Sequence, residues 1–405
     1  MVPLPVANLM HHKVRSVFSA AGIGLGVCMV VTLGGLARGT LFERAERWES
    51  VGADLIILPR GWGSSATARS GIGLSDRYAA KVAAEHADIV QRVVPVFAWP
   101  IRLAGQDQQA GGIDPCDWPV LSGGRKLTAG RLFDPDGAFS RWLEGRLLAP
   151  AADGAAEQEI TAAELGDPNH DGLELVIDER LARVGGWRVG QTVEAANHRW
   201  RIVGIAPQGV MLRVFLPRRT AQFLFAGGDI GHSTLMFVKL RGGVDVGPAA
   251  RRLQRATGQD VVPLDAFRGM LVDQFGILFV YVYVVNGVAL AIAFLFVMIT
   301  LYTMVLQRTR EVAILRSCGA SGWFLVRAVL GESLLLTAAG TAAGVALSFL
   351  AAAGIEAARP LLTVSITWKW LGVAAAAAAA GAALSALYPA WRATRIDVAE
   401  ALTLE

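Results

Sequence analysis

Four stretches of this chain are nearly free of charge, and each is long enough to cross a bilayer. Val17–Ala37 runs 21 residues with no ionisable group except the Cys28 thiol, and Gln274–Gln307 runs 34 without a formal charge. Ser333–Ile355 runs 23 and Trp370–Trp391 runs 22. A spanning helix needs about 20 apolar residues, because hydrocarbon offers no water to satisfy an exposed backbone. Hydrophobic residues make up 53% of the chain and charged ones 18%, against about 25% charged in soluble domains. That balance excludes a disordered or collagen-like chain and an ordinary soluble enzyme. The expected fold class is a membrane protein: four transmembrane α-helices plus a mixed α/β extracytoplasmic domain inserted between spans 1 and 2. The first run exceeds the roughly 7–15 residues of a signal-peptide core, and no small-x-small cleavage site follows it. It is therefore expected to remain as a span.

Charge placement sets the expected topology. Residues 38–273 hold 28 Lys and Arg against 28 Asp and Glu, so this long segment is neutral. Lys13 and Arg15 precede the first run. Arg308, Arg310, Arg316 and Arg327 separate the second from the third, and Arg392 and Arg395 follow the fourth. The remaining connection sets Arg359 and Lys369 against Glu356. Short basic loops stay in the cytoplasm, which puts both termini and the loop after the second run inside and the neutral segment outside. The expected organisation is a cytoplasmic amphipathic N-terminus at 1–16, a first span at 17–37, and an extracytoplasmic domain at 38–273. A second span with a stalk extension covers 274–307, a cytoplasmic coupling loop 308–327, and a third span 328–355. An outer loop at 356–369, a fourth span at 370–391 and a cytoplasmic tail at 392–405 complete the chain. A pI of about 9.1 is on this reading a topology signal, and no nucleic-acid partner is expected. Cys28, Cys116 and Cys318 fall in a span, outside and inside, so no disulfide framework is expected. Trp368, Trp370 and Trp391 bracket the last run as an aromatic belt does.

Within the outer segment, short β-branched runs predict strands at Asp54–Leu58, Ile89–Phe97, Leu173–Ile177, Trp200–Ala206, Val214–Leu216 and Thr234–Leu240. Helices are predicted at Ser75–Glu85, with Ser75 as N-cap, and at Asp178–Val184 and Val246–Ala256. Ser140–Asp171, rich in Ala, Glu and Gly, reads as a loop or insertion.

Chemistry-bearing motifs are sparse. None of the lysines follows a glycine, so the chain lacks a P-loop, and H-E-x-x-H, C-x-x-C and G-x-S-x-G are also missing. Asp167, Asn169, Asp171, Gly172 and Asp178 match the spacing of a calcium loop, with Asp where Glu is usual. The strand-like run after them and Glu174 at a normally apolar position suit a polar turn instead, and no metal is expected. Glu332, near the start of the third span, is the one carboxylate placed to lie within the apolar belt, either as a structural anchor or on a substrate or proton path. Gly340 and Gly344 form G-x-x-x-G, and Gly22, Gly24 and Gly26 cluster in the first run. Such small residues permit close helix approach and give a weak indication of a dimer face.

Between the second and third runs, Gln307-Arg308-Thr309-Arg310-Glu311-Val312-Ala313-Ile314-Leu315-Arg316-Ser317-Cys318-Gly319-Ala320-Ser321 closely resembles the cytoplasmic segment of MacB-like and FtsX-like ABC permeases. Asn8–Ser16 leading into Gly22–Gly26 is similar to that family's start and first span. Glu332–Leu334 through Gly344 resembles its third span, acidic residue included. Tyr388–Leu402 resembles its C-terminal motif around Pro389, Arg392, Arg395 and Asp397, with Val398 where Pro is usual. Gly130–Phe133, Trp200–Gly204 and Pro217 look like landmarks of its outer domain.

The resemblance implies a non-enzymatic type VII permease with no cofactor of its own, ATP and magnesium being bound by a partner ATPase present in two copies. It implies a permease homodimer or heterodimer in the bacterial cytoplasmic membrane, serving export or extraction of an amphiphilic drug, peptide, glycolipid or lipoprotein. A membrane-fusion protein with an outer-membrane channel, or a lipoprotein carrier, would be a further partner. The ATPase-coupling residues implied are Arg308, Arg310, Glu311, Val312, Ile314, Leu315, Arg316 and Gly319. The alternative is an FtsX-like regulator of a wall hydrolase, whose outer domain would be smaller.

One argument stands apart from the resemblance. Thirty-four uncharged residues make about 51 Å of helix against a hydrocarbon core of about 30 Å. Leu41, Ala45 and Trp48 then continue the first run as a helix at i, i+4 and i+7. Spans that project beyond the membrane beside an outer domain form a lever.

Overall fold

The computed structural model describes residues 13–60, 73–103, 105–134, 173–227, 230–274, 276–307 and 309–394. Arg308, Arg395, Asp397, the Ser140–Asp171 segment and the start of the chain up to His12 lie outside the described residues. Two compact units are present: residues 1–41 with 275–405, and residues 42–274.

The first unit is helical. Helix α1 (Lys13–Glu49) enters it, running without interruption through residue 41 and on into the second unit. The candidate membrane spans lie at Ser16–Glu49, Phe279–Gln307, Gly322–Ala358 and Trp368–Arg392. Val284, Val288, Ile292, Leu295 and Ile299 sit at helical spacing on the second of these, all exposed. An outward apolar stripe is the inverse of a soluble helix and is what lipid solvates. The inward side is knit by small residues. A Cβ on Gly340 would stand 2.8 Å from Ala20 O, and one on Gly344 2.9 Å from Val27 Cβ. A Cβ on Gly24, in the same seam, would stand 3.1 Å from Gly340 O. The G-x-x-x-G pattern therefore joins two helices of one chain here, a contact that its weak indication of a dimer face did not include.

The second unit is a mixed α/β domain. Its strands are β1 (Leu55–Leu58), β2 (Leu74–Ser75), β3 (Val90–Leu103), β4 (Gln106–Ile113), β5 (Ala129–Gly130), β6 (Glu174–Asp178), β7 (Thr192–Ala195), β8 (His198–Ala206), β9 (Val214–Pro217), β10 (His232–Ser233), β11 (Leu235–Leu240) and β12 (Asp260–Pro263). The main sheet runs β12-β1-β11-β3-β4-β9-β6-β8-β5, with β7 on β8. The pairs β4–β9 and β6–β8 are parallel and the other pairings antiparallel. Strand β3 links the two halves: its first part pairs with β11 from Val90 to Val96, its second with β4 from Phe97 to Leu103. Helices α2 (Asp76–Glu85) and α6 (Val246–Thr257) cover one face through Val82, Ala249, Ala250 and Leu253, packed on Leu55, Ile57, Met236 and Val238. Helices α3 (Trp118–Leu121), α4 (Glu179–Gly185), α5 (Arg218–Phe225) and α7 (Leu264–Gln274) complete the described α-helices of this unit, and a 3-10 turn at Pro115–Asp117 precedes α3.

Ser75 does precede α2, but its side chain makes no capping bond. Its neighbour Ser233 and the α5 residues Arg218 and Gln222 instead hold Asp76, the first residue of the helix. Asp178 caps α4, accepting from Leu181 N at 2.8 Å. Gly130 and Gly204 face each other across β5 and β8. A side chain on Gly130 would meet Val203 O, and one on Gly204 would meet Arg131 O, so these two landmark glycines mark a close strand approach.

Candidate functional site: helix ends and the segment after the second span

The last turns of α1 lie within the second unit and are locked there by charge and by rings. Glu43 receives Arg213 at 2.7 Å, Arg47 at 3.0 Å and Arg180 at 3.5 Å. Arg47, 5% exposed, also donates to Asp178 Oδ2 at 3.1 Å, and Asp178 is fully buried. The other Asp178 oxygen is taken by the α4 cap. Burial, reinforced by the Arg47 charge, pulls the Arg213 pKa below its ordinary value, against the pull of Glu43 and Asp178. Buried charges are tolerated only when paired, and removing one partner of such a pair costs about 3–5 kcal/mol. Trp48, one position on, packs its ring on Phe267 at 5.2 Å and Phe237 at 5.9 Å. Ser50 Oγ then reaches Gly209 O at 2.8 Å. Sequence reasoning missed this cluster; its only signal was the Glu43–Arg47 spacing of i,i+4 on a helix.

Of the calcium-loop candidates, Asp167, Asn169 and Asp171 lie outside the described residues. Asp178 is engaged as a helix cap and an ion-pair partner. Among the described residues no group of three or more His, Cys, Asp or Glu is placed to hold a metal.

In the first unit, α8 (Gly276–Gln307), α9 (Thr309–Ser317), α10 (Gly322–Ala358) and α11 (Trp368–Thr394) follow in order. Helix α9 is the segment between the second and third spans. Its Ala313 is fully buried and its Ile314 is 48% exposed. Arg316 Nη1 donates to Thr394 O at 3.1 Å, tying α9 to the end of the last helix. Gly319 then turns the chain with φ of +92°, a left-handed conformation that glycine adopts without penalty. Ser321 caps α10 by accepting from Phe324 N at 3.3 Å. Arg310, Glu311, Val312 and Leu315 lie on α9. Glu332, 8% exposed, is buried within α10. Pro389 lies inside α11, and Arg392 sits exposed in its last turn.

At the opposite end of these helices, the loop between α10 and α11 clasps α1. Ser365 N donates to Gly35 O at 3.1 Å, and Trp370 Nε1 to Val30 O at 3.3 Å. A Cβ on Gly34 would lie 2.6 Å from Trp370 Nε1, so the ring fits only because that position is glycine. Arg38 lies 4.1 Å over the Trp370 ring and donates to Tyr283 Oη at 3.0 Å.

Comparison with known proteins identifies both parts of the chain. The MacB-like periplasmic core domain matches residues 16–256, and the FtsX-like permease C-terminal domain matches residues 283–398. The chain belongs to the MacB/FtsX-like family of ABC permeases. A relative, the macrolide export ATP-binding/permease protein MacB of Sodalis glossinidius (strain morsitans), is 25% identical over 409 residues. That match covers 97% of this chain but 59% of the relative, so the chain spans somewhat over half its length. The crystallised periplasmic region of MacB from Actinobacillus actinomycetemcomitans is 16% identical with a TM-score of 0.36, covering 55% of this chain and 94% of that one. The extracellular domain of the ABC-type transporter YknZ from Gram-positive bacteria is 15% identical with a TM-score of 0.32, covering 52% and 98%. A multi-pass membrane permease with an extracytoplasmic α/β domain between its first and second spans follows from the family and the helices together. The family is one whose permeases work with an ABC ATPase.

Proposed function

We propose that this permease acts as a mechanotransmitter, converting closure of a separate pair of cytoplasmic ATPase subunits into motion of its outer domain to export or extract an amphiphilic substrate. The observation that carries the reading is α1: one helix from Lys13 to Glu49 whose last turns are fixed by the Glu43, Arg47 and Asp178 network. A stiff helix clamped at its end transmits displacement, where a hinge would absorb it. Helix α9, flanked by arginines and Glu311 with Ile314 exposed, is the proposed dock for the ATPase, as a short amphipathic helix in a groove.

On this reading the chain works as a dimer in the bacterial cytoplasmic membrane with both termini inside. It holds no nucleotide or magnesium itself. It passes its motion to a membrane-fusion protein with an outer-membrane channel, or to a lipoprotein carrier. The neutral domain of 236 residues between the spans favours the exporters over FtsX-like hydrolase regulators. The test is reconstitution in proteoliposomes. The chain alone should hydrolyse no ATP above background, and its presence should stimulate an ATPase subunit from the same operon. Robust hydrolysis by the chain alone would sink the proposal.

A further inference from the structure

Asn286 lies on the inward stripe of α8 with Ala293, Val297 and Leu301. It is 5% exposed, and neither atom of its amide has a hydrogen-bond partner among the described residues. Hydrocarbon offers no water to such a group, and buried side-chain amides are ordinarily met. The register of three helices gives its surroundings. On α1, a Cβ on Gly26 would stand 3.7 Å from Ala289 O, and Arg38 donates to Tyr283 Oη at 3.0 Å. Asn286, between Ala289 and Tyr283, therefore faces the stretch of α1 that holds Val30 and Gly34. On α11, Gly381 lies under the Phe294 ring, and the Tyr388 ring is 5.7 Å from that of Tyr302. Counting back along these parallel helices puts Asn286 level with Ala374, about one turn from Trp370.

Trp370 reaches into the same place. Its indole N–H donates to Val30 O at 3.3 Å, a long bond to a carbonyl that helix geometry already assigns to the Gly34 N–H. A donor sharing another group's acceptor thus stands beside an amide with no donor. We infer that Trp370 and Asn286 form a latch: when α1 is displaced, Trp370 Nε1 leaves Val30 O and donates to Asn286 Oδ1, releasing α1. The two arrangements are balanced by opposite gains. The clasped one keeps Arg38 over the Trp370 ring at 4.1 Å, a cation–π contact, and leaves the amide unmet. The released one meets the amide and gives up that contact. A packed bundle with two such discrete settings switches rather than deforms. The inference deepens the proposed mechanotransmission and rests on α1 being the element that moves.

The first test needs no ATPase. It is fluorine NMR of the full chain, labelled with fluorotryptophan, in phosphatidylcholine nanodiscs. The Trp370 signal is identified by its loss in Trp370→Phe. Two Trp370 resonances whose weights shift with temperature are expected. Asn286→Leu should leave one, and Asn286→Gln, which keeps the amide, should retain both. The melting temperature of Asn286→Leu should be no lower than that of the native chain, because no met bond is lost. A single Trp370 resonance that Asn286→Leu leaves unmoved, or a lowered melting temperature in that variant, overturns the latch. The second test adds the ATPase subunit from the same operon. Asn286→Leu and Trp370→Phe should each cut its stimulation several-fold, and the double variant should be no worse than either, as for residues acting through one contact. Full stimulation by Asn286→Leu overturns the latch. Failure of the native chain itself to stimulate counts against the proposed function instead, and the fluorine spectra then decide the latch alone.

Discussion

The guanidinium of Arg47, near the end of the first helix, stands 3.1 Å from a carboxylate oxygen of Asp178, 131 residues further along the chain. The contact joins the last turns of a membrane helix to the strand–helix corner where β6 meets α4. Both partners are buried, so the pair is screened little by salt and tolerates little displacement.

Breaking that pair should loosen the outer domain and, on the proposed mechanism, its coupling to an ATPase. Arg47→Met leaves Asp178 buried beside one fewer guanidinium, at about 3–5 kcal/mol. We expect a lowered melting transition of the full chain in nanodiscs, followed by tryptophan emission. Stimulation of the partner ATPase should fall more than for Arg199→Ala, whose guanidinium is 65% exposed and 3.7 Å from Glu194. Equal behaviour of the two variants would show that the network is ornamental.

How much of this could be read from residues alone depends on what kind of signal each element carries. The spans were legible because hydrocarbon demands long uncharged runs, and β1, β9 and β11 because they are short, almost wholly apolar runs, LIIL, VFLP and LMFVKL, where β4 opens on four polar residues. Strand β4, Gln106–Ile113, was missed: its sequence QDQQAGGI has one β-branched residue, and it is a strand because β3 and β9 pair with both its edges. Strands β7 and β12 were missed for the same reason, short segments held by neighbours. Val90–Leu103 extends six residues beyond the expected end at Phe97, because Pro100 pairs without interrupting it. The Arg47–Asp178 pair was not legible, since nothing in one sequence links positions so far apart. Among the outer-domain landmarks, Trp200 is a buried anchor donating to Ala195 O at 3.0 Å.

The close seam between α1 and α10 predicts intolerance of bulk. Gly344→Ile should place its side chain against Val27 Cβ and the Gly24 backbone, and no flexible side-chain end is there to yield. In a bilayer, where small-residue packing rather than burial from water holds helices together, we expect reduced membrane accumulation and faster proteolysis. Gly354→Ala, at a glycine with open space around it, is the control. Normal accumulation of the isoleucine variant would remove the seam as a determinant of folding.

Asp117 supplies a pH signature. Burial raises its carboxyl pKa above 3.8, against the opposing pull of Arg92 at 2.6 Å. Arg92 shifts upward in the same pair, its burial outweighed by Asp117; the carboxylate carries the larger desolvation because it is 6% exposed against 43%. A carboxylate with a raised folded pKa holds its proton longer when folded. Its contribution is therefore full below about 3.8 and is lost as pH rises through the raised value. The melting temperature of the native chain minus that of Asp117→Asn should fall with rising pH across that window. A flat or rising difference curve would contradict the assignment.

Two natural cysteines test the orientation without engineering. Cys116 and Cys318 are both exposed, while Cys28 is buried. With the outer domain extracytoplasmic, a membrane-impermeant maleimide should label Cys116 in spheroplasts, and Cys116→Ser should abolish that signal. Cys318, just after α9, should label only after permeabilisation. Labelling of Cys318 in sealed cells would reverse the proposed topology and remove α9 from reach of any ATPase.

The proposed coupling role of α9 can be separated from its fold. Ile314 is 48% exposed and Ala313 fully buried, so the two adjacent positions answer different questions. Ile314→Asp adds a charge where water already reaches, and the permease should insert and melt as the native chain does. Docked against an ATPase, the same charge would be buried unpaired, which costs several kcal/mol, so co-purification with the ATPase and its stimulation should both be lost. Leu315→Asp and Glu311→Lys probe the same docking contact. Ala313→Asp should instead damage the permease itself. Arg316→Ala releases the bond to Thr394 O, and Gly319→Val strains a turn at φ of +92° by about 1–3 kcal/mol. Both should leave membrane insertion intact but let α9 reorient, lowering stimulation of the ATPase more than its binding. Full association and full stimulation in Ile314→Asp, Leu315→Asp and Glu311→Lys at matched membrane expression would exclude α9 as the coupling helix.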